Sequence, residues 1–225
     1  MNDTPKAILF GAIGALVETS DMQRRSFNGA FEDAGLDWEW GREEYAELLR
    51  TPGGVQRIAD YAAAREEEVD AEAVHAAKVA HFRARAEAEG LTLRAGVAEV
   101  IAAAQEAGVA LGFVTSTGKE TIELLFSGLG EALDRGVFDF IGNRTMVEEG
   151  KPDPEIYQIA LGDLGLTPEE AVAIEDTPES AEAAVRAGVP CIGYVGAEAR
   201  GRRFPDDVRV VDRIDPSLFG MTDAG

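Results

Sequence analysis

Residues 150–177 read GKPDPEIYQIALGDLGLTPEEAVAIEDT. Two spacings meet in this stretch. Residues 154–164 carry apolar side chains at helical intervals, with Pro154 suited to a first helical turn and Asp153 to the N-cap ahead of it. Residues 171–175, AVAIE, form a short continuous apolar run of the kind that is buried on both faces as a parallel strand. That run ends in an acidic pair, Glu175 and Asp176. A helix feeding a buried strand is one repeat of an alternating α/β chain.

Similar apolar runs recur at residues 6–10 (KAILF), 109–115 (VALGFVT), 138–142 (FDFIG) and 191–195 (CIGYV). Between them, residues 97–107, 121–133 and 180–187 have helical periodicity. The alternation predicts a doubly wound, Rossmann-like α/β fold, a parallel sheet with helices on both faces. Residues 20–88 break the pattern: they hold no convincing strand and are rich in Ala, Glu and Arg. This predicts an inserted all-helical domain, residues 17–91, on a core made of residues 1–16 and 92–225. The insert contains FNGAFEDAGLDWEW (27–40), a turn at Thr51-Pro52-Gly53-Gly54, and a helical stretch at 74–88. Hinges are expected near residues 16–19 and 91–96. Glu66-Glu67-Glu68 reads as a solvated helix face.

The 225 residues include 42 acidic and 21 basic ones, a net charge of −21, with 45% apolar and 28% charged residues. These proportions suit a globular chain rather than a disordered one. The negative field argues against nucleic acid and anionic membrane surfaces as partners. No apolar run approaches the roughly 20 residues of a membrane span, and MNDTPKAILF has none of the regions of a signal peptide, so a cytoplasmic location is expected. One cysteine, Cys191, and two histidines, His75 and His81, exclude an intrachain disulfide and leave no zinc-finger or Ser/His/Asp spacing.

In an open α/β sheet the ligand site lies beyond the carboxyl ends of the strands. Four strand ends are therefore informative. Thr115-Ser116-Thr117-Gly118-Lys119 offers hydroxyls and backbone N–H groups near a helix start, suited to a phosphate oxygen. Gly150-Lys151-Pro152-Asp153-Pro154 places a lysine on a rigid turn. Glu175-Asp176-Thr177 supplies a carboxylate pair suited to a hard cation such as Mg²⁺. Gly11-Ala12-Ile13-Gly14-Ala15 carries nothing ionisable. Each also has a plainer reading: Thr115 as a helix cap, Lys151 as a surface turn residue, Glu175-Asp176 as caps of the next helix. Taken together, a hydroxyl, a lysine and an acidic pair at successive strand ends describe a phosphate-plus-metal pocket.

The order and wording of these segments resemble the haloacid dehalogenase superfamily, in particular its sugar-phosphate phosphatases and phosphomutases with a helical cap, and most closely the CbbY-like sugar-bisphosphate phosphatases. Thr115, G-K-P-D-P at 150–154 and E-D-T at 175–177 match the family's later motifs, and Phe27-Asn28, Asp37-Trp38, Gly53-Gly54 and Arg57-Ile58 match its cap. The resemblance implies phosphate binding by Thr115, Ser116 and Lys151, substrate contact by Arg57 in the cap, and Mg²⁺ as the cofactor.

The first motif departs from the family. FGAIGALVET (10–19), set on the pattern FDLDGTLVDT, puts Gly11 at the nucleophilic aspartate, Ile13 at the acid/base aspartate and Ala15 at the threonine. The implied reaction forms an aspartyl-phosphate on the first carboxylate while the second moves a proton. Neither glycine nor isoleucine can do this, so no catalytic residue is intact. Gly11 reads as a turn glycine and Ile13 as a loop-packing aliphatic. Gln23 stands where a His is common and Val55 where Lys usually follows Gly-Gly. Glu18 lies several residues from the phosphate position and toward the hinge, which makes it a poor substitute nucleophile. A Lys151–Asp176 pair is expected to be satisfied without metal. Glu175 and Asp176 are the remaining metal candidates, and Asp176 alone is a weak Mg²⁺ site. The sequence favours a pseudo-phosphatase that binds phosphate or a small sugar phosphate. A Mg²⁺-dependent hydrolase using a non-standard route and an interaction protein with a relic pocket are the alternatives.

Overall fold

The computed structural model describes residues 4–11, 13–49, 53–115 and 117–222. The chain divides into two compact units: one runs to Glu18 and resumes at Leu91, and the other is Thr19–Gly90. Among the described residues no helix is long and apolar enough to cross a membrane.

The first unit is built on six parallel strands, β1 (Ala7–Phe10), β2 (Ala110–Phe113), β3 (Phe140–Ile141), β4 (Ala171–Glu175), β5 (Cys191–Tyr194) and β6 (Arg209–Val211), in the order β3-β2-β1-β4-β5-β6. One helical turn, α1 (Ile13–Leu16), follows β1. The second unit contains α2 (Ser20–Asp33), α3 (Arg42–Leu48), α4 (Gly54–Ala64) and α5 (Ala71–Glu89). Back in the first unit come α6 (Val97–Ala107), α7 (Lys119–Leu129), α8 (Glu155–Leu164) and α9 (Pro178–Arg186).

Alternate residues of the central strands enter two separate cores. Ile8, Phe10, Val172 and Ile174 join one apolar cluster, and Ala7, Leu9, Ala171 and Ala173 the other. That two-sided burial is why these strands read as unbroken apolar runs. Chain order reverses between β1 and β4, so the switch point of the sheet lies where Gly11 meets Glu175.

Several expected boundaries move. Only Phe140–Ile141 of the run 138–142 pairs with β2. α7 starts at Lys119 and stops at Gly130, which takes φ +51 and leads into a 3-10 turn. Asp153 does accept from the Glu155 amide at 2.9 Å, although the helix begins beyond Pro154. Glu66-Glu67-Glu68 is exposed but lies past the end of α4, not on a helix face: Glu66 has φ +57, and Glu67 accepts from Trp38 Nε1 at 2.8 Å. The edge strand β6 escapes notice because Arg209-Val210-Val211 is short and outward-facing, with Val210 49% exposed.

The core of the second unit is aromatic. Phe27, Phe31, Trp38, Trp40 and Tyr45 are all buried, and Trp40 lies 4.7 Å from the Phe31 ring and 4.8 Å from that of Phe27. Asn28 clamps Trp40 from both sides of its amide, accepting from Trp40 N at 3.0 Å and donating to Trp40 O at 3.2 Å. Against this core α5 places a buried ammonium, Lys78, which donates to Gln23 Oε1 and faces the rings of Phe27 and Phe82 at 5.0 and 5.4 Å.

Burial first, and then the charge of Arg57, push Lys78 down to about 8, and burial with the same two cations also lowers His75. The folded pKa of Lys78 is below its unfolded value. Under pH 8 both states hold the proton and the folded one carries the whole penalty. Between about 8 and 10.5 the unfolded chain binds more protons, so this group makes stability rise with pH. Lys78→Met is expected to stabilise the protein at pH 7 by about 1–3 kcal/mol and to remove that alkaline rise, as read by urea unfolding across the pH range. A variant less stable than the parent at pH 7 contradicts this.

Candidate active site

The parallel ladder continues past β1, where the Gly11 amide donates to Ile174 O at 2.9 Å. This places Gly11 beside Glu175, the last residue of β4. Glu175 is fully buried, and its Oε1 accepts from Lys151 Nζ at 2.6 Å and from the Tyr157 hydroxyl at 2.6 Å. Lys151 also donates to Gly11 O at 2.5 Å and lies 4.8 Å from the centroid of the Tyr157 ring. Its side chain is only 7% exposed, so it is no surface turn residue. A charge-assisted pair of this kind is strong only where water is excluded and the geometry is good.

Gly11 leaves room for this cluster. A Cβ on it would lie 2.0 Å from Glu175 Oε1, 2.2 Å from Glu175 Cδ and 2.3 Å from the Tyr157 hydroxyl. Its φ is not positive. The expectation of a turn glycine is therefore corrected: the backbone does not require glycine here, and a side chain would have to displace the Glu175 carboxylate and the Tyr157 hydroxyl from their present places. Ile13 is partly buried against the larger core, as expected of a packing aliphatic, although on the α1 turn rather than in a loop.

The expected Lys151–Asp176 pair is also corrected, since the lysine pairs with Glu175. The ladder directs Glu175 at Gly11, whereas the Asp176 carboxylate lies over Gly14, where a Cβ would come within 1.8 Å of Oδ2. Neither acid caps the next helix. That position belongs to Thr177, whose hydroxyl faces the Ser180 amide at 3.4 Å. Thr115 is buried and accepts from Thr117 N at 3.1 Å, tying its own loop, while the cap of α7 is Gly118. Ser116, Ala12, Thr51 and Pro52 lie outside the described residues. Glu18 accepts from the Ala197 amide at 2.8 Å, which fixes the turn after β5. Arg57 belongs to the second unit, where its Nε donates to Leu48 O at 2.9 Å beside Tyr45.

Two residues at this end of the sheet were not singled out by sequence. Tyr157 sits among the apolar positions of α8, and burial together with Glu175 raises its hydroxyl well above the ordinary range, so it stays a donor. Arg94 precedes α6 and donates to three carbonyls, Gly14 O at 2.6 Å, Tyr194 O at 2.9 Å and Val195 O at 2.7 Å, with its guanidinium 3.4 Å from the Tyr194 ring centroid. Burial pushes Cys191 up, which leaves it an inert thiol.

The donor set does not fit Mg²⁺. Glu175 Oε1 is already bonded to an ammonium and a phenol, and among the described residues no group of three His, Cys, Asp or Glu side chains converges on one point. Near-octahedral oxygen coordination has no preformed basis in this arrangement.

The haloacid dehalogenase-like hydrolase family model matches residues 8–194. Protein CbbY of Cereibacter sphaeroides is 40% identical over 212 residues, 92% of this chain and 91% of that protein. The crystal structure of CbbY from Rhodobacter sphaeroides in complex with phosphate is similar with a TM-score of 0.77 at 40% identity, covering 93% of this chain and 94% of the other. A mutant of that protein, in complex with xylulose-(1,5)bisphosphate, matches with the same TM-score, identity and coverage. The parallel sheet, the G-K-P and E-D segments at its carboxyl end and these likenesses converge: the chain belongs to the haloacid dehalogenase-like hydrolases, among the CbbY-like proteins.

Proposed function

We propose that this chain is a pseudo-phosphatase, a protein that holds inorganic phosphate or a small sugar phosphate beside Lys151 and Thr115 without hydrolysing it. The observation that carries the reading is the exchange at the head of β1: no carboxylate stands at position 11 or 13, and the room of the first is filled by Glu175. Phosphoryl transfer in this family needs one carboxylate to attack phosphorus and another to protonate the leaving oxygen. Glu175 supplies neither. It has no solvent exposure, and Oε1 is held by two donors.

Binding is supported by what remains. Lys151 gives a positive charge in a dry site, and one similar protein, CbbY from Rhodobacter sphaeroides, has been crystallised with phosphate and, as a mutant, with xylulose-(1,5)bisphosphate. Neither a nucleic acid nor an anionic membrane surface suits a chain of net charge −21.

The purified chain should turn over p-nitrophenyl phosphate and sugar bisphosphates far below an ordinary enzymatic rate in the presence of Mg²⁺. Turnover at about 1 s⁻¹ or faster that disappears in Lys151→Ala would overturn the reading. Restoring the carboxylates tests the assignment of the lost positions. In Gly11→Asp/Ile13→Asp the new side chain at 11 must drive Glu175 off Lys151, at a cost of about 1–3 kcal/mol in metal-free stability. The three crowded carboxylates should then make Mg²⁺ raise the Tm of the variant more than that of the parent. Equal shifts in the two proteins contradict the placement of Gly11 and Ile13 at the catalytic positions.

A further inference from the structure

Glu175 occupies its position under three constraints that act together. The ladder bond from Gly11 to Ile174 sets the two strand ends side by side, and the missing Cβ of Gly11 opens a seat for the carboxylate. Within that seat Oε1 takes the hydrogen bonds of Lys151 and Tyr157. Its other oxygen, Oε2, is buried and accepts no hydrogen bond among the described residues. A carboxylate with one oxygen unsatisfied is an incompletely stabilised anion, and its one positive partner among the described residues is the ammonium that a phosphate would need.

We infer that Glu175 is an internal competitor for the anion pocket: its carboxylate plugs the site, and an incoming phosphate or phosphomonoester must displace it from Lys151. The inference rests on the anion-binding reading above and adds a determinant of specificity to it. A monoanion such as acetate or chloride offers Lys151 no more charge than Glu175 already does. A dianionic phosphate offers about twice the charge and more acceptor oxygens, so the plug selects for it. Gly11 belongs to the same device, because a Cβ there would overlap the present position of the Glu175 carboxylate.

Isothermal titration of inorganic phosphate into the full chain in EDTA tests this. Glu175→Gln should bind phosphate at least about tenfold more tightly than the parent, the difference expected for one charge-assisted contact. Gly11→Ala, which keeps the carboxylate but evicts it, should shift affinity in the same direction. Adding Lys151→Met to Glu175→Gln should abolish the gain. A parent that binds phosphate as tightly as both variants, or more tightly, overturns the plug and leaves the anion-binding reading standing. A Glu175→Gln protein that is folded by circular dichroism and binds nothing at about 10 mM phosphate overturns both.

Glutamine at 175 leaves a buried ammonium without its counter-charge and risks unfolding the chain. The parent itself therefore supplies a second measurement. With ¹³C-labelled tyrosine, and Tyr157→Phe for assignment, saturating phosphate should move the Tyr157 ring resonance as Glu175 leaves its hydroxyl. A resonance unchanged at saturation overturns the inference.

Discussion

A buried ion pair between Lys151 and Glu175 organises the carboxyl end of the sheet. Because both side chains are withdrawn from water, neither could be left alone there without a large desolvation penalty, and each accounts for the burial of the other. The pair draws in Tyr157 from α8, fastens the carbonyl of Gly11 at the end of β1, and so joins the first strand, the fourth strand and the turn after residue 150 in one cluster. The present place of the carboxylate uses the room left by the lack of a side chain at position 11.

The charges at this end of the sheet differ from those that the family's motifs imply. Intact relatives, as the shared motifs imply, bring several carboxylates together and offset them with a divalent cation. Here the carboxylates of the first motif are gone, and the surviving glutamate is neutralised by an ammonium already in the chain. A sequence comparison that scores only positions 11 and 13 misses this pairing, because Glu175 is itself a retained motif residue.

The parts of the fold that could be read from sequence were those governed by local periodicity. Residues 171–175 and 97–107 announce a strand and a helix because their apolar spacing is unbroken, and both form over those residues. β6 could not be read that way, since a three-residue edge strand with an exposed valine carries no apolar run. At the site, the residue types were legible and their pairing was not. Whether Lys151 meets Glu175 or Asp176 is decided by the register of β1 on β4, a non-local fact, together with the room left by Gly11. Tyr157 was hidden for a related reason, as one more large residue on the buried stripe of α8. In the second unit Lys78 was lost in a helix rich in Ala and Glu, where nothing in the spacing marks it as the lysine that turns inward.

Arg94 has a mechanical consequence. One rigid guanidinium fork grips the carbonyl of Gly14 in the α1 turn and those of Tyr194 and Val195 at the end of β5, while its plane rests on the Tyr194 ring. Two elements that are about 180 residues apart in sequence are thus splined to a single side chain. Because these carbonyls share one planar group, the α1 turn cannot move away from the end of β5 without breaking at least one of its hydrogen bonds.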